Sequence, residues 1–256
     1  MPDPTTLIET RNLVKKYGDK LAVNDVSFDV HRGEIFGFLG PNGAGKTTTI
    51  KVIVGLLQPT SGTVKVGGYD VQAQPLQAKA ASGYVPDTPN LYAKLTGREL
   101  LRFVGDLYNL DRGQVVRRAD ELLRILDLTA AADDTIDSYS HGMQQKASLA
   151  AALMHDPKVL VLDEPTVGLD PKSARLIKDI LRQMAERGAA VFLSTHILEI
   201  AEHMCDRIGI INRGALIAVG TMSELRALGK GETSLEDIFL GLTGGAEYAA
   251  IAEVLR

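Results

Sequence analysis

Gly40-Pro41-Asn42-Gly43-Ala44-Gly45-Lys46-Thr47 lies between an apolar run, Ile35-Phe36-Gly37-Phe38-Leu39, and a segment that places Ile50, Ile53, Val54 and Leu57 at helical spacing. The octapeptide fits the pattern G-x-x-x-x-G-K-[ST], in which each residue type has a physical task. Glycines let the backbone curl until successive N–H groups point at phosphate oxygens. Lys46 supplies a point charge for the β- and γ-phosphates, and Thr47 a hydroxyl for Mg2+. A helix from about Gly45 to Leu57 aims its positive N-terminal end at the same anion. With glycine at about 7% of positions, the pattern arises by chance in roughly one chain of this length in a hundred. Its setting between a strand and an apolar-faced helix decides the reading as a phosphate-binding loop in an α/β core.

The flanking sequence extends that core both ways. Upstream, short β-rich runs at Leu7-Ile8-Glu9-Thr10 and Val26-Ser27-Phe28-Asp29-Val30 precede the apolar strand, and residues 61–85 read as further short strands with Gly62, Gly67 and Gly68 as turns. From about 87 to 155 the periodicity becomes helical, with Leu100, Leu101, Val104, Leu107 and Tyr108 in one stripe and Leu122, Leu123, Ile125 and Leu126 in another. After Asp156-Pro157 alternation resumes: a buried strand at 159–163, a helix at 172–187, a strand at 189–194, a helix at 197–204 and small strands at 207–219. Buried Val/Leu-rich strands followed by helices mark a mostly parallel sheet. Cys205 beside Met204 reads as a small packing residue inside its helix, with no cysteine partner for a disulfide or a zinc site.

Composition narrows the function. The 256 residues are 45% hydrophobic and 23% charged, with formal net charge −4 and 28 basic against 32 acidic residues. That balance argues against a dedicated nucleic-acid binder, and no stable nucleic-acid partner is expected. No apolar run approaches the roughly 18 residues of a membrane span. Met1-Pro2-Asp3-Pro4-Thr5-Thr6 has neither the basic start nor the apolar segment of a secretory leader, so a cytoplasmic location is expected.

A second acidic site follows from Val159-Leu160-Val161-Leu162-Asp163-Glu164, a buried strand ending in two carboxylates where the ligand crevice of an α/β sheet lies. Asp163 there suits Mg2+, and Glu164 suits the base that polarises the attacking water. The strand at 189–194 delivers Ser194-Thr195-His196 to the same edge, where His196 can donate to the γ-phosphate.

Together these residues resemble the nucleotide-binding subunit of an ABC transporter over about residues 7–222, in the expected order. The resemblance makes Gly40 to Thr48 the Walker A loop, Asp163-Glu164 the Walker B end, Tyr17 the aromatic that stacks on adenine, Asp170 in Gly168-Leu169-Asp170 the D-loop acid joining two subunits, and His196 the switch histidine. The family's Leu-Ser-Gly-Gly-Gln signature reads Tyr139-Ser140-His141-Gly142-Met143 here, matching only at Ser140 and Gly142. Ser140 stands at an N-cap position and Gly142 allows close backbone approach, so this helix start can meet an anion. In the family that anion is the γ-phosphate held by the opposite subunit. His141, where the family has glycine, adds attraction when protonated, so nucleotide-driven pairing is expected to strengthen toward pH 6. Where the family's Q-loop has glutamine, this chain has Asp87 after Gly83-Tyr84-Val85-Pro86; it is either a metal ligand or the start of a helix-capping turn.

The resemblance implies a P-loop NTPase core with a mostly parallel sheet, an N-terminal antiparallel β-subdomain and an inserted α-helical subdomain. Its expected division is core 1–86 and 156–222, helical subdomain 87–155 and helical tail 223–256. It implies an ATPase using ATP and Mg2+, paired with a second cassette and seated through a separate membrane permease on the inner face of the membrane. A groove for that permease is expected within 87–108, with Leu91, Tyr92 and Leu95 as candidates. The His141 and Asp87 substitutions, with Ser234-Leu235-Glu236-Asp237-Ile238-Phe239-Leu240, resemble the bacterial exporter branch handling drugs, polysaccharides, peptides or sodium. Competing classes fit less well. An ABC ATPase acting on nucleic acid or ribosomes usually carries two cassettes or long coiled-coil insertions. A GTPase would want an Asn-Lys-x-Asp segment, and a regulatory module would be expected to lose Glu164.

Overall fold

The computed structural model describes residues 5–228 and 234–243. β1 (Thr6–Tyr17) and β2 (Lys20–His31) form a long antiparallel hairpin that leads into β3 (Ile35–Leu39). The glycine loop follows, then α1 (Lys46–Ile53), β4 (Ser61–Val66), β5 (Tyr69–Asp70), α2 (Pro75–Ala80) and β6 (Ser82–Val85). Three helices come next: α3 (Gly97–Leu107), α4 (Arg112–Ile125) and α5 (His141–Leu153). The alternation β7 (Val159–Asp163), α6 (Pro171–Glu186), β8 (Ala190–Thr195), α7 (Leu198–Met204) and β9 (Arg207–Asn212) then leads to β10 (Ala215–Gly220), α8 (Met222–Leu228) and α9 (Leu235–Thr243). The part of the helical tail expected at 229–233 and 244–256 lies outside the described residues.

Two sheets result. One is antiparallel, in the order β2-β1-β4-β5; the other runs β10-β9-β3-β8-β7-β6 and is parallel from β9 to β6. Side chains alternate across a strand, so each central strand feeds two cores. Phe36 and Phe38 of β3, Val159 and Val161 of β7, and Phe192 of β8 face α1 and the antiparallel sheet. Ile35, Leu39, Leu160, Leu162, Val191 and Leu193 face the core shared with α3 to α7. Phe28 of β2 joins the sheets by stacking on Phe36 and Phe192, with ring centroids 5.3 and 5.7 Å away. Aromatic pairs of this kind add about 0.5–1.5 kcal/mol each beyond the area they bury.

The structure departs from the sequence expectations at several points. The first helix stops at Ile53 rather than Leu57, because Gly55 adopts φ +69° and the chain turns, with Leu56 and Leu57 both donating to Lys51 O. The stretch read as strands only, 61–85, contains α2; Pro75 starts it, but it buries only Ala78 and so shows no apolar periodicity. β1 and β2 run 12 residues each, well beyond the apolar runs that announced them, because their charged outer halves are held by pairing to each other. Residues 87–95 are not helical: α3 begins only after Thr96, whose side chain and Glu99 form a capping box. Cys205 lies just past α7 as its C-cap, buried, with its thiol pushed up to about 12 by desolvation.

Candidate active site

An open cleft of about 690 Å3 lies at the carboxyl ends of the parallel strands. Pro41, Asn42, Gly43, Gly45, Lys46, Thr47 and Thr48 line it from one side, and Asp87, Asp163 and Glu164 from another. Gly43 and Gly45 adopt φ +78° and +109°, the conformations that curl the loop. Gly40 and Ala44 shape it from behind: Ala44 is buried and donates to Pro41 O at 3.1 Å, and Gly40 O accepts from Lys46 Nζ at 2.7 Å. Lys46 also lies 4.0 Å from Glu164 Oε1. Burial lowers its pKa, opposed by the charges of Glu164 and Asp163. An ammonium held by carbonyls in a nearly dry loop is poised to trade them for phosphate oxygens.

β7 and β8 place the acids through one shared residue. Ser194 Oγ donates to Asp163 Oδ1, while Glu164 N donates to Ser194 O and to its Oγ, each at 3.2 Å. Glu164 sits at φ +50°, a conformation that non-glycine residues rarely adopt and that costs of order 1–3 kcal/mol. Its carboxylate is held by His196, whose Nδ1 is 2.9 Å from Oε1 and whose backbone N–H reaches Oε2 at 3.4 Å. Asp163 is buried, and its Oδ2 has no hydrogen-bond partner. Its pKa is raised, first by burial and then by the charges of Asp87 and Glu164, against the Ser194 and Thr47 hydroxyls.

That orphaned oxygen beside the Thr47 hydroxyl is the donor set a hard cation takes, and a cation there would remove the cost of an unpaired buried carboxylate. Among the described residues no three His, Cys, Asp or Glu side chains converge on a metal by themselves. Mg2+ does not require it, since it is commonly held by one or two carboxylates together with substrate phosphates.

The raised Asp163 carries a stability consequence. A carboxyl whose pKa is raised on folding binds its proton more tightly in the native state, so the ligand-free fold loses stability as pH climbs from the ordinary carboxylate range through the raised value. Asp163→Asn removes that loss. Its ligand-free Tm near neutral pH is expected to exceed the parent's, with the gap closing in acid; a gap that does not change with pH would refute the linkage.

Several expected site residues lie elsewhere. Ser140 caps α5, accepting from Met143 N at 3.3 Å, and neither it nor His141 or Gly142 lines the cleft. The His141 ring packs beside Gly168, where a Cβ would stand 3.3 Å from Nε2, and a Cβ on Gly142 would meet Leu169. Asp170, expected to join two subunits, is the N-cap of α6, its oxygens accepting from Ser173 N at 3.0 Å and from Ser173 Oγ at 2.6 Å. Asp87 does not open a helix either. Its Oδ1 accepts from Thr88 N while the residue faces the cleft, and no helix follows until α3. Tyr17 does line the cleft, 47% exposed, with Lys15 Nζ 5.2 Å from its ring centroid. Lys20, Leu21, Ala22, Arg213 and Gly214 line it too and were not foreseen. They come from two hairpins that meet only in the fold, and the one local signal was the Arg213-Gly214 turn before a short strand.

Residues 23–167 match the sequence profile of the family described as ABC transporter. The chain belongs to the ABC transporter family. The linearmycin resistance ATP-binding protein LnrL of Bacillus subtilis is 43% identical over 230 residues, covering 90% of this chain and 74% of that protein. The Nod factor export ATP-binding protein I of Burkholderia lata is 42% identical over 217 residues, covering 85% and 71%. Among solved structures, an ATP-binding subunit of an ABC transporter superposes with TM-score 0.88 at 36% identity, covering 93% of this chain and 99% of that one. A dimeric bacterial ABC transporter cassette gives TM-score 0.79 at 26% identity, covering 84% and 99%. The P-loop fold is thus the ABC cassette fold, and this cassette is an ATP-hydrolysing transporter subunit.

Proposed function

We propose that this cassette hydrolyses Mg-ATP between two head-to-tail copies, or between itself and a homologous cassette, and drives a separate permease of the exporter branch. The observation that carries the reading is the convergence of Lys46, Thr47, Asp163 and Glu164 on one cleft at the strand ends. The loop amides and Lys46 bind the phosphates, and Tyr17 offers its ring to the base. Thr47 and Asp163 would hold Mg2+, with Asp87 close enough to raise the Asp163 pKa and so to sense the same charge. When bound, Mg2+ neutralises charge on the transferring phosphoryl group. Glu164 takes the proton of the attacking water, and His196 holds the Glu164 carboxylate in place. Asp87→Asn is expected to raise the Mg2+ concentration needed for half-maximal ATPase; an unchanged requirement removes Asp87 from the metal's surroundings.

Ser140, His141 and Gly142 serve the partner cassette's nucleotide, which accounts for their absence from this chain's own cleft. We assign residues 1–86 and 156–222 to the core, 87–155 to the helical subdomain and the rest to a tail. Between core and helices lies a second groove of about 440 Å3 that includes Leu56, Tyr84, Leu91, Val104, Leu107 and Tyr108. Leu56 and Leu107 are 58% and 63% exposed, an apolar surface suited to a permease helix. Tyr92 is exposed against the edge of Phe103, whereas Leu91 and Leu95 are partly buried and pack against the core. Among the described residues no helix is long and apolar enough to cross a membrane, so membrane attachment is assigned to that permease. Phosphate release and nucleotide-driven pairing of Glu164→Gln test the reading, and co-purification with a membrane protein from a neighbouring reading frame tests the partner.

A further inference from the structure

A third cleft, of about 270 Å3, opens at the opposite end of the central sheet, where the chain enters β7 and β8. Its floor is apolar, with Leu122 and Ile125 from α4 and Ile180 and Met184 from α6. Its rim carries Arg32, Arg118, Lys158 and Arg187 against only two acids, Glu121 and Asp156. Arg118 meets both acids, at 3.1 Å and 3.9 Å. Among the described residues Arg32, Lys158 and Arg187 have no carboxylate within 4.0 Å. The Arg32 side chain lies along Gly188, its Nη1 3.4 Å from where a Cβ would stand. Positive charge therefore accumulates over an apolar floor in a chain whose net charge is −4.

Those features select a ligand with an anionic head and an apolar body, since the head gains charge-assisted hydrogen bonds while the body covers the partly exposed Ile125, Ile180 and Met184. The volume, about 270 Å3, lies just below the roughly 300–1,000 Å3 of ordinary small-molecule sites and so limits the occupant to a small ligand. Position gives such a ligand leverage. Leu153, the last residue of α5, also lines the cleft, and Arg118 donates to its carbonyl at 3.4 Å. α5 is the helix that starts at His141, and β7, which ends at Asp163, begins one residue beyond Lys158. We propose that the cleft is an effector site for a free amphiphile bearing one carboxylate or similar anion and a short acyl tail. The bound molecule braces α4 and α5 against α6 and thereby shifts the ATPase rate, as any ligand must that binds two arrangements of these helices unequally.

Calorimetric titration of the full chain with decanoate tests this, with ADP saturating the glycine loop so that the probe cannot bind there. One decanoate per chain is expected, with acetate and decanol, the head and tail alone, binding about tenfold more weakly or less. Lys158→Glu and Arg187→Glu, made separately at exposed positions, are each expected to weaken decanoate about tenfold and to leave ADP affinity unchanged. Decanoate is expected to change the parent's ATPase rate and to leave that of the variants unaltered at the same concentration. Decanol binding as tightly as decanoate, or variants binding like the parent, would overturn the site. Binding without any change in ATPase rate would overturn the effector role. Adsorption to phosphatidylglycerol vesicles that is lost in the same variants would overturn the free amphiphile in favour of a membrane surface.

Discussion

Glu164→Gln is expected to lower ATP turnover by about 10²–10⁴-fold, the usual worth of a positioned general base, while nucleotide still binds. The substitution keeps the shape of the side chain and its acceptor oxygen but removes the charge that draws a proton from water. Both groups that hold the carboxylate survive it, since the His196 backbone N–H and ring remain in place. Lys46 loses one opposing charge 4.0 Å away and keeps Gly40 O, so the phosphate cradle persists. Binding intact and chemistry stalled means that paired cassettes accumulate. Phosphate release under single-turnover conditions measures the first effect, and sedimentation with ATP measures the second. A variant with near-parental phosphate release removes Glu164 from the base position.

The other large effect is expected from Gly45→Ala. Gly45 combines φ +109° with a position where a Cβ would stand 2.6 Å from Ala22 O. That oxygen belongs to β2, and the chain around it cannot give way easily: Asn24 N donates to Gly214 O while Gly214 N donates to Ala44 O, both at 2.8 Å. The methyl group thus meets a three-way backbone junction. Conformational strain and overpacking each cost on the order of 1–3 kcal/mol, a large share of the about 5–15 kcal/mol that holds a typical domain together. A lower Tm and loss of ADP binding are expected together. Gly43→Ala separates the causes, because Gly43 shares the positive φ but has no atom within 4 Å of its added Cβ. It should lose far less stability. Parental ADP affinity in Gly45→Ala would show that the loop can rearrange without its glycine.

The phosphate loop and the paired acids were legible because each sits on a single element whose local pattern states its position. Apolar Ile35–Leu39 and Val159–Leu162 announce buried strands, and function follows at their carboxyl ends. What stayed hidden depends on side chains choosing between partners. The capping role of Asp170 was not read from its sequence, although Ser173 three residues on supplies both donors to its carboxylate. Arg213 and Lys20 reach the cleft only because β1, β2, β9 and β10 bring two turns together across more than 190 residues of chain. α2 was missed for the opposite reason, since a helix that buries one alanine has no periodicity to read.

Ser194 binds both acids of the cleft with one hydroxyl, donating to Asp163 and accepting from the Glu164 backbone. In the roles proposed for them, the Asp163 carboxylate on the metal and the Glu164 carboxylate on the water are consequently not independent instruments. A shift of β8 that moves one moves the other, and His196, two residues further along the same strand end, travels with them. On the proposed mechanism, cation affinity and hydrolytic rate are therefore traits this chain inherits as a linked pair. A lineage that tunes either one by altering β8 retunes both at once.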